Sequence, residues 1–265
     1  MRFTKMQGAG NDYVYLDCTR EEPRDLPALA VRLARPHFGV GSDGLICICP
    51  SDRADFRMRM FNADGSESEM CGNGLRCVCK FVYDKGLTRK TRLEIETLAG
   101  VRGADLHLAG GRVRAVTVDM GEPWPEEARA LLVGGREYLV TPVSVGNPHI
   151  VLFVDAIHGL DLESLGPGFE HHPAFAPRRT NVEFVEAVDP SHLRARVWER
   201  GSGETLACGS GACAVAVAAV LTGRGGRQVK VTLPGGTLEI DWDRRDGHVY
   251  MTGDAVTVFE GEMNL

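Results

Sequence analysis

Two cysteines stand where a thiol is placed to react. Cys71 opens Cys71-Gly72-Asn73-Gly74, Cys208 opens Cys208-Gly209-Ser210-Gly211, and each segment runs into a stretch of helical character. A helix N-terminus carries unpaired N–H groups and partial positive charge, which lower a thiol's pKa and hold an anion. Glycine lets the backbone come close to that anion. The two cysteines are 137 positions apart, about half of the 265-residue chain. Two such helix ends on one carboxylate would set a thiol on either face of its α-carbon. One thiolate could then remove the α-proton while the other thiol delivers a proton to the opposite face, inverting the centre. The amides would stabilise the charge that develops on the carboxylate.

Elements that must position these residues repeat in the same order. Residues 1–17 read as a strand, a Gly8-Ala9-Gly10-Asn11-Asp12 loop and a second strand, and Val145-Gly146-Asn147 follows about 136 residues later. The strand Phe56–Phe61 and the segment Leu193–Trp198 both contain Arg-x-Arg, 137 residues apart. Thr97-Leu98-Ala99-Gly100 is matched with Thr232-Leu233-Pro234-Gly235, and Val116-Thr117-Val118 with Val256-Thr257-Val258. Leu26–Ala34 is a helix stopped by Pro36, and Gly72–Asp84 is a second, with Leu75, Val78, Cys79 and Val82 on one side. Strands are expected at Leu93–Thr97, Val101–Leu106 and Val113–Met120. Ala212–Val220 is apolar on every face, the pattern of a helix buried all round. The expected fold is α/β of the α+β type, a duplication with one principal helix per copy. Each copy is a curved, mostly antiparallel sheet wrapped around that helix. The domains are 1–115, completed by a last strand at 255–265, and 116–254.

Composition narrows the function. The chain is 43% hydrophobic and 25% charged with a net charge of −6, which argues against nucleic acid as a partner. No apolar run is long enough for a membrane span and the N-terminus lacks a signal-peptide core, so a cytoplasmic location is expected. The eight cysteines lack the spacing of a secreted disulfide framework. Cys18, Cys47, Cys49, Cys77, Cys79 and Cys213 are read as small buried hydrophobes. Gly39-Val40-Gly41-Ser42-Asp43-Gly44 fits a dinucleotide-loop string but leads into a strand, not a helix. A zinc site would lack a C-x₂-C or H-x₃₋₅-H pair, and a thioredoxin-like role would lack C-x-x-C.

The motifs together resemble the diaminopimelate epimerase family. They are Gly8-Ala9-Gly10-Asn11-Asp12, Asn62-x-Asp64-Gly65-Ser66 leading to Met70-Cys71-Gly72-Asn73-Gly74, Gly146-Asn147-Pro148-His149, Thr180-Asn181-Val182-Glu183, and Glu199-Arg200-Gly201 leading to Ala207-Cys208-Gly209-Ser210-Gly211. The resemblance implies a cofactor-independent isomerase that interconverts LL- and meso-2,6-diaminopimelate for lysine and peptidoglycan synthesis. It implies a site between two similar domains, a small-molecule substrate, no metal, and a homodimer. By it, Cys71 and Cys208 are the acid/base pair, and His149 and Glu199 tune the thiols. The amides of Gly72-Asn73 and Gly209-Ser210 take the reacting carboxylate. Asn11, Asn62, Asn147, Asn181 and Arg200 hold the substrate, the last four at its distal end, and Glu199 accepts from a substrate ammonium. Some members carry a substrate-contacting glutamine where Gly44 stands, so Gly44 is left out of the site.

Proline racemase and hydroxyproline epimerase are the nearest rivals, similar in fold and also built on two cysteines. They give no reason for the set Asn147, Asn181 and Arg200, and their first motif usually has histidine where Asn73 stands. From another class, a zinc-binding or disulfide-exchange protein is the alternative.

Overall fold

The computed structural model describes residues 1–264, which form two compact units. One holds Met1–Asp119 and the chain from Thr252 onward; the other is Met120–Met251. No helix among the described residues is long and apolar enough to cross a membrane.

The first unit runs β1 (Arg2–Gly8), β2 (Asn11–Asp17), α1 (Leu26–Ala34), β3 (Gly44–Cys49), β4 (Phe56–Asn62) and β5 (Glu67–Ser68). It continues through α2 (Gly72–Asp84), β6 (Arg92–Thr97), β7 (Gly100–Ala109) and β8 (Arg112–Asp119). The second runs β9 (Trp124–Pro125), β10 (Arg129–Val133), β11 (Arg136–Ser144), β12 (Pro148–Phe153), α3 (Leu162–Glu170), β13 (Asn181–Asp189) and β14 (His192–Glu199). There follow β15 (Gly203–Thr205), α4 (Gly209–Leu221), β16 (Gln228–Leu233), β17 (Gly236–Trp242) and β18 (Val249–Asp254), which runs across the boundary, and β19 (Val256–Glu262) belongs to the first unit.

Pairing in the two units follows one plan. β1–β2 and β11–β12 are antiparallel, β2–β3 and β12–β13 parallel, β3–β4 and β13–β14 antiparallel. β4–β6 and β14–β16 are again parallel, and β6–β7 and β16–β17 close as hairpins. Within each unit these strands surround one helix. α2 packs against β1, β2, β7 and β8, and α4 against β11, β12, β13, β14, β16 and β17. α4 is apolar on all sides and is buried from Gly211 to Ala219, as its sequence requires. α2 goes further than its sequence pattern. The expected apolar side is buried, and so is the opposite side, down to Arg76 and Lys80. Hydrogen bonds make that burial tolerable. Arg76 donates to Asn73 Oδ1 and to the Asp254 carbonyl, and Lys80 to Asp84 and the Val113 carbonyl. Burial still pulls the Arg76 guanidinium below its ordinary pKa.

Each unit has a second, shorter helix on the outer face of its sheet. α1 lays Leu26, Leu29 and Leu33 against Val14, Leu16, Leu45 and Cys47. α3 has no counterpart among the expected elements, and Gly166-Pro167-Gly168 in its middle are turn and breaker residues. Packing overrides them. Asp161 caps the helix through the Ser164 amide, Phe169 meets Tyr138 and Phe184 edge-on, and Gly166 lies flat under Trp198. A Cβ on Gly166 would stand 2.2 Å from the Trp198 ring. At the helix end Glu170 accepts from Trp198 Nε1, Arg179 Nη1 and the Gly201 amide, which anchors the chain around Arg200.

Two of the four sequence matches hold their place in the fold. The loops at Gly10-Asn11 and Gly146-Asn147 both join the paired strands. The Arg-x-Arg strands are equivalent too, for Arg59 forks onto Glu67 and Arg196 onto Glu204. These pairs fasten the short strands that lead to Cys71 and Cys208. The other two matches need correction. Thr97 pairs with Gly100, but it is Leu233 that pairs with Gly236, so the Thr-Leu-x-Gly match is one residue out of register. A one-residue shift would turn every side chain to the other face. Val116–Val118 lie in β8 against β7, whereas Val256–Val258 lie in β19 against β1 and are not their counterpart.

The six cysteines expected in the core are buried. Burial pushes the thiols of Cys77 and Cys79 in α2 up, that of Cys77 to about 11. The folded protein therefore keeps these protons after the unfolded chain has released them. Stability is full below the unfolded thiol pKa and falls as pH rises toward the folded one, by about 3 kcal/mol for Cys77. The urea midpoint should drop between pH 8 and pH 10, and Cys77→Ala should reduce that dependence without abolishing it, because Cys79 keeps its raised thiol; a midpoint independent of pH over this range would contradict it.

Candidate active site

Cys71 is the N-cap of α2, in extended backbone conformation, and its sulfur accepts the Gly74 amide at 3.4 Å. The remaining amides of the first turn, Gly72 and Asn73, stay available to a ligand. Asn73 is buried and its side-chain oxygen is held by Arg76 at 2.9 Å, so its backbone is what it offers. The Cys71 thiol is partly exposed and donates to Asn11 Oδ1 at 3.2 Å. Asn11 opens β2 after a turn in which Ala9 and Gly10 both have positive φ. Its Nδ2 donates to Asp43 Oδ2 at 2.6 Å, and the same oxygen takes the Asp12 amide. Burial raises the Asp43 carboxyl above its ordinary range. Lys5 pairs with Asp12 beside it. Asn62 ends β4 in a turn, where its Nδ2 donates to Ser66 Oγ at 3.0 Å. Gly44 faces Asn62 across the ladder, and a Cβ there would lie 2.0 Å from the Phe61 carbonyl oxygen. The strand has no room for a side chain at that point.

Cys208 caps α4 in the same way, its sulfur accepting the Gly211 amide at 3.4 Å and leaving the Gly209 and Ser210 amides. Its surroundings are different. The thiol is 7% exposed and lies 3.5 Å from Ser210 Oγ. Burial first, then the charges of Glu199 and Glu183, push it well above the ordinary thiol range. The lowered pKa expected from the helix terminus is thus overturned at Cys208, because desolvation and two carboxylates outweigh the helix end. Glu199 ends β14 and accepts from Thr205 Oγ1 at 2.5 Å.

His149 on β12 is wholly buried. Its Nε2 lies 3.0 Å from both Asn147 Oδ1 and Ser210 Oγ, and its Nδ1 2.6 Å from Glu183 Oε1. Asn181 pairs with His149 across the parallel ladder and donates to the Pro148 carbonyl at 2.9 Å. Its Oδ1 accepts the Arg200 amide at 2.9 Å, and Arg200 Nη1 donates to the Arg178 carbonyl. So Asn147, His149, Ser210 and Cys208 are brought together, and Asn181 and Arg200 are joined beside them. In the first unit Asn11, Cys71 and Asn73 gather at the mouth of α2, while Asn62 sits in its own turn.

Two residues of these clusters were missed from the sequence. Asp43 stands in the glycine string Gly39–Gly44, whose pattern gives it no role. Glu183 was quoted within Thr180-Asn181-Val182-Glu183 without a role. Its signal was a carboxylate flanked by apolar residues on a strand buried on both faces, a position that charge rarely takes without a partner.

Comparison with known proteins gives the same picture. The family model for diaminopimelate epimerase matches residues 3–124 and 141–258. Diaminopimelate epimerase of Acetivibrio thermocellus is 52% identical, over 100% of this chain and 99% of its own. Among solved structures, a phenazine biosynthesis protein of the PhzF family from Bacillus anthracis has a TM-score of 0.78 at 18% identity, covering 100% of this chain and 99% of that one. A hydroxyproline epimerase from Agrobacterium vitis has a TM-score of 0.72 at 16% identity, covering 98% and 91%. Those two share the fold; identity along the whole length of the Acetivibrio enzyme, with the match of the family model to both halves, means that the chain belongs to the diaminopimelate epimerase family.

Proposed function

We propose that this protein interconverts LL- and meso-2,6-diaminopimelate, with Cys71 and Cys208 as base and acid on the same α-carbon. The observation that carries the pair is the N-cap geometry that the two cysteines share in the two repeats. Each sulfur takes the third amide of its own helix, at 3.4 Å, and leaves the first two for a carboxylate. A sulfur that caps a helix is fixed in direction without being consumed. The α-proton of an amino acid is very weakly acidic, so the amides must stabilise charge on the carboxylate as the proton leaves. Asn11, Asn62, Asn147, Asn181, Glu199 and Arg200 supply polar groups of the kinds that the substrate's ammonium and distal carboxylate require. In this reading the protein is a cytoplasmic homodimer that needs no cofactor.

The two thiols start from different states. Cys208 enters as a thiol, held so by burial and by the carboxylates of Glu199 and Glu183. Cys71 is the more accessible of the two and is then the partner that supplies the thiolate. Removal of the α-proton by one and delivery by the other exchanges their protonation states, so the reaction runs in either direction.

Incubation with LL-diaminopimelate in D₂O should place deuterium at one α-carbon as the meso isomer appears. Exchange with proline and none with diaminopimelate would overturn the choice of substrate in favour of the proline racemase reading. Cys71→Ala and Cys208→Ala should each lower epimerisation by at least about a thousandfold while leaving the protein folded. Near-normal turnover by either variant, measured by a coupled assay or by chiral separation, would end the two-base proposal. Brief treatment of the free protein with iodoacetamide at pH 7.5 should label Cys71 ahead of Cys208, because only Cys71 is partly exposed. Peptide mass mapping reads the order, and faster labelling of Cys208 would count against the assignment of starting states.

A further inference from the structure

The two repeats differ at one buried position in a way that bears on the chemistry. A Cβ built on Gly74, the third residue of α2, would meet Ile46 Cδ1 at 2.7 Å; one built on Gly211, the third residue of α4, would meet Glu183 Oε1 at 2.7 Å. The pairing registers confirm the equivalence, since Leu45 sits opposite Phe61 and Val182 opposite Trp198. An isoleucine thus supports the turn that carries Cys71, and a glutamate supports the turn that carries Cys208. That glutamate is wholly buried. One of its oxygens bonds His149 Nδ1, and the other, Oε2, has no hydrogen-bond partner among the described residues. Such a carboxylate costs stability where an isoleucine fits, so packing does not account for it.

We propose that Glu183 is a positioning residue which holds the proton of His149 on Nδ1, so that Nε2 faces Ser210 and forms a proton relay to Cys208. This rests on the two-thiol reading above and adds to it a residue and a route. The relay is Glu183 Oε1 to His149 Nδ1 at 2.6 Å, His149 Nε2 to Ser210 Oγ at 3.0 Å, and Ser210 Oγ to Cys208 Sγ at 3.5 Å. Asn147 Oδ1 lies 3.0 Å from the same Nε2 and accepts from it when the ring carries both protons. The charged and titratable groups about this path are Glu183 on β13, Glu199 on β14 and Cys208 itself.

The chemistry of the reaction calls for such a path. After Cys208 has given its proton to the substrate carbon it is a thiolate, 7% exposed, and must be reprotonated before the next turnover in the same direction. The imidazolium form of His149, neutralised by the Glu183 carboxylate, passes its Nε2 proton to Ser210 Oγ as the serine proton passes to Cys208 Sγ. His149 is left as imidazole with its remaining proton on Nδ1, and, because the ring is buried, it regains the second through the partly exposed Ser210 hydroxyl after product has left. No bond other than those to the moving protons changes. Cys71, partly exposed and bonded to Asn11, needs no counterpart, and its repeat carries Ile46 at the position of Glu183.

Two measurements test this, one of them without substrate. Nitrogen-15 NMR of the histidines in the intact parent protein should show His149 protonated at Nδ1 throughout the range in which the protein is active. A neutral ring protonated only at Nε2 would overturn the proposal, whether or not diaminopimelate is the substrate. Glu183→Gln keeps the shape and the acceptor but removes the charge that stabilises the imidazolium. Its kcat should fall by about tenfold or more, and kcat/KM by less, because proton return between turnovers limits kcat alone. The pH profile of kcat should differ from that of the parent. An unchanged kcat with an unchanged profile in folded Glu183→Gln would also overturn it. If the parent shows the Nδ1 proton yet does not turn over diaminopimelate, the substrate assignment fails and the positioning stands.

Discussion

A helix surrounded on all sides by its own sheet can meet a ligand only at its ends, and the structure depends on that constraint. α4 has no polar face to present and α2 hides even an arginine and a lysine. Their N-termini are therefore where chemistry is possible, and there the unpaired amides of the first turn must be satisfied or used. Cysteine solves both needs at once. The sulfur accepts the third amide, which fixes its own direction, and the first two are left without a partner inside the helix. Glycine follows from the same geometry. Gly74 and Gly211 lie so close to the strand beneath that any Cβ would collide with Ile46 or Glu183.

Much of this was legible in the sequence because it rests on local signals. Glycine before and after the thiols, the all-apolar run of α4 and the alternation in β4 each fix an element by chemistry that neighbours in the chain supply. What was not legible depends on contacts far along the chain. Gly166-Pro167-Gly168 reads as a turn until Trp198 is placed over it. The repeat could have revealed α3, since Asp25 caps α1 and Asp161 caps α3, 136 residues later, in the same way. The match of Thr97 with Thr232 failed for a different reason. Identity of letters outweighed alternation, and the burial patterns of β6 and β16 coincide only when Thr97 is aligned with Leu233.

The polar residues of the candidate site could be named from the sequence, but not their states. Asn11, Asn147, Asn181 and Arg200 could be named from motifs, but the motifs do not say that Asn73 is tied to Arg76 or that Arg200 holds Arg178. Nor could the sequence set the thiol pKa. A helix terminus contributes a few tenths to about two kcal/mol, and the removal of a thiolate from water together with two nearby carboxylates exceeds it. The balance is a matter of burial, which a motif does not record.

Duplication explains why the two halves share a frame, and divergence within that frame explains how one reaction can use them differently. A two-thiol inversion needs sulfurs equivalent in geometry and unequal in protonation at any instant. Identical surroundings would leave the inequality to chance, with both thiols equally ready to ionise. Here the geometry is inherited and the inequality is built by substitution at equivalent places. Tyr13 in one repeat stands where His149 does in the other, and Ile46 where Glu183 does, as the strand registers require. The polar replacements both fall in the half whose thiol is buried. In that half the thiol is less exposed, and the two side chains that differ, His149 and Glu183, are hydrogen-bonded to each other and through Ser210 approach Cys208.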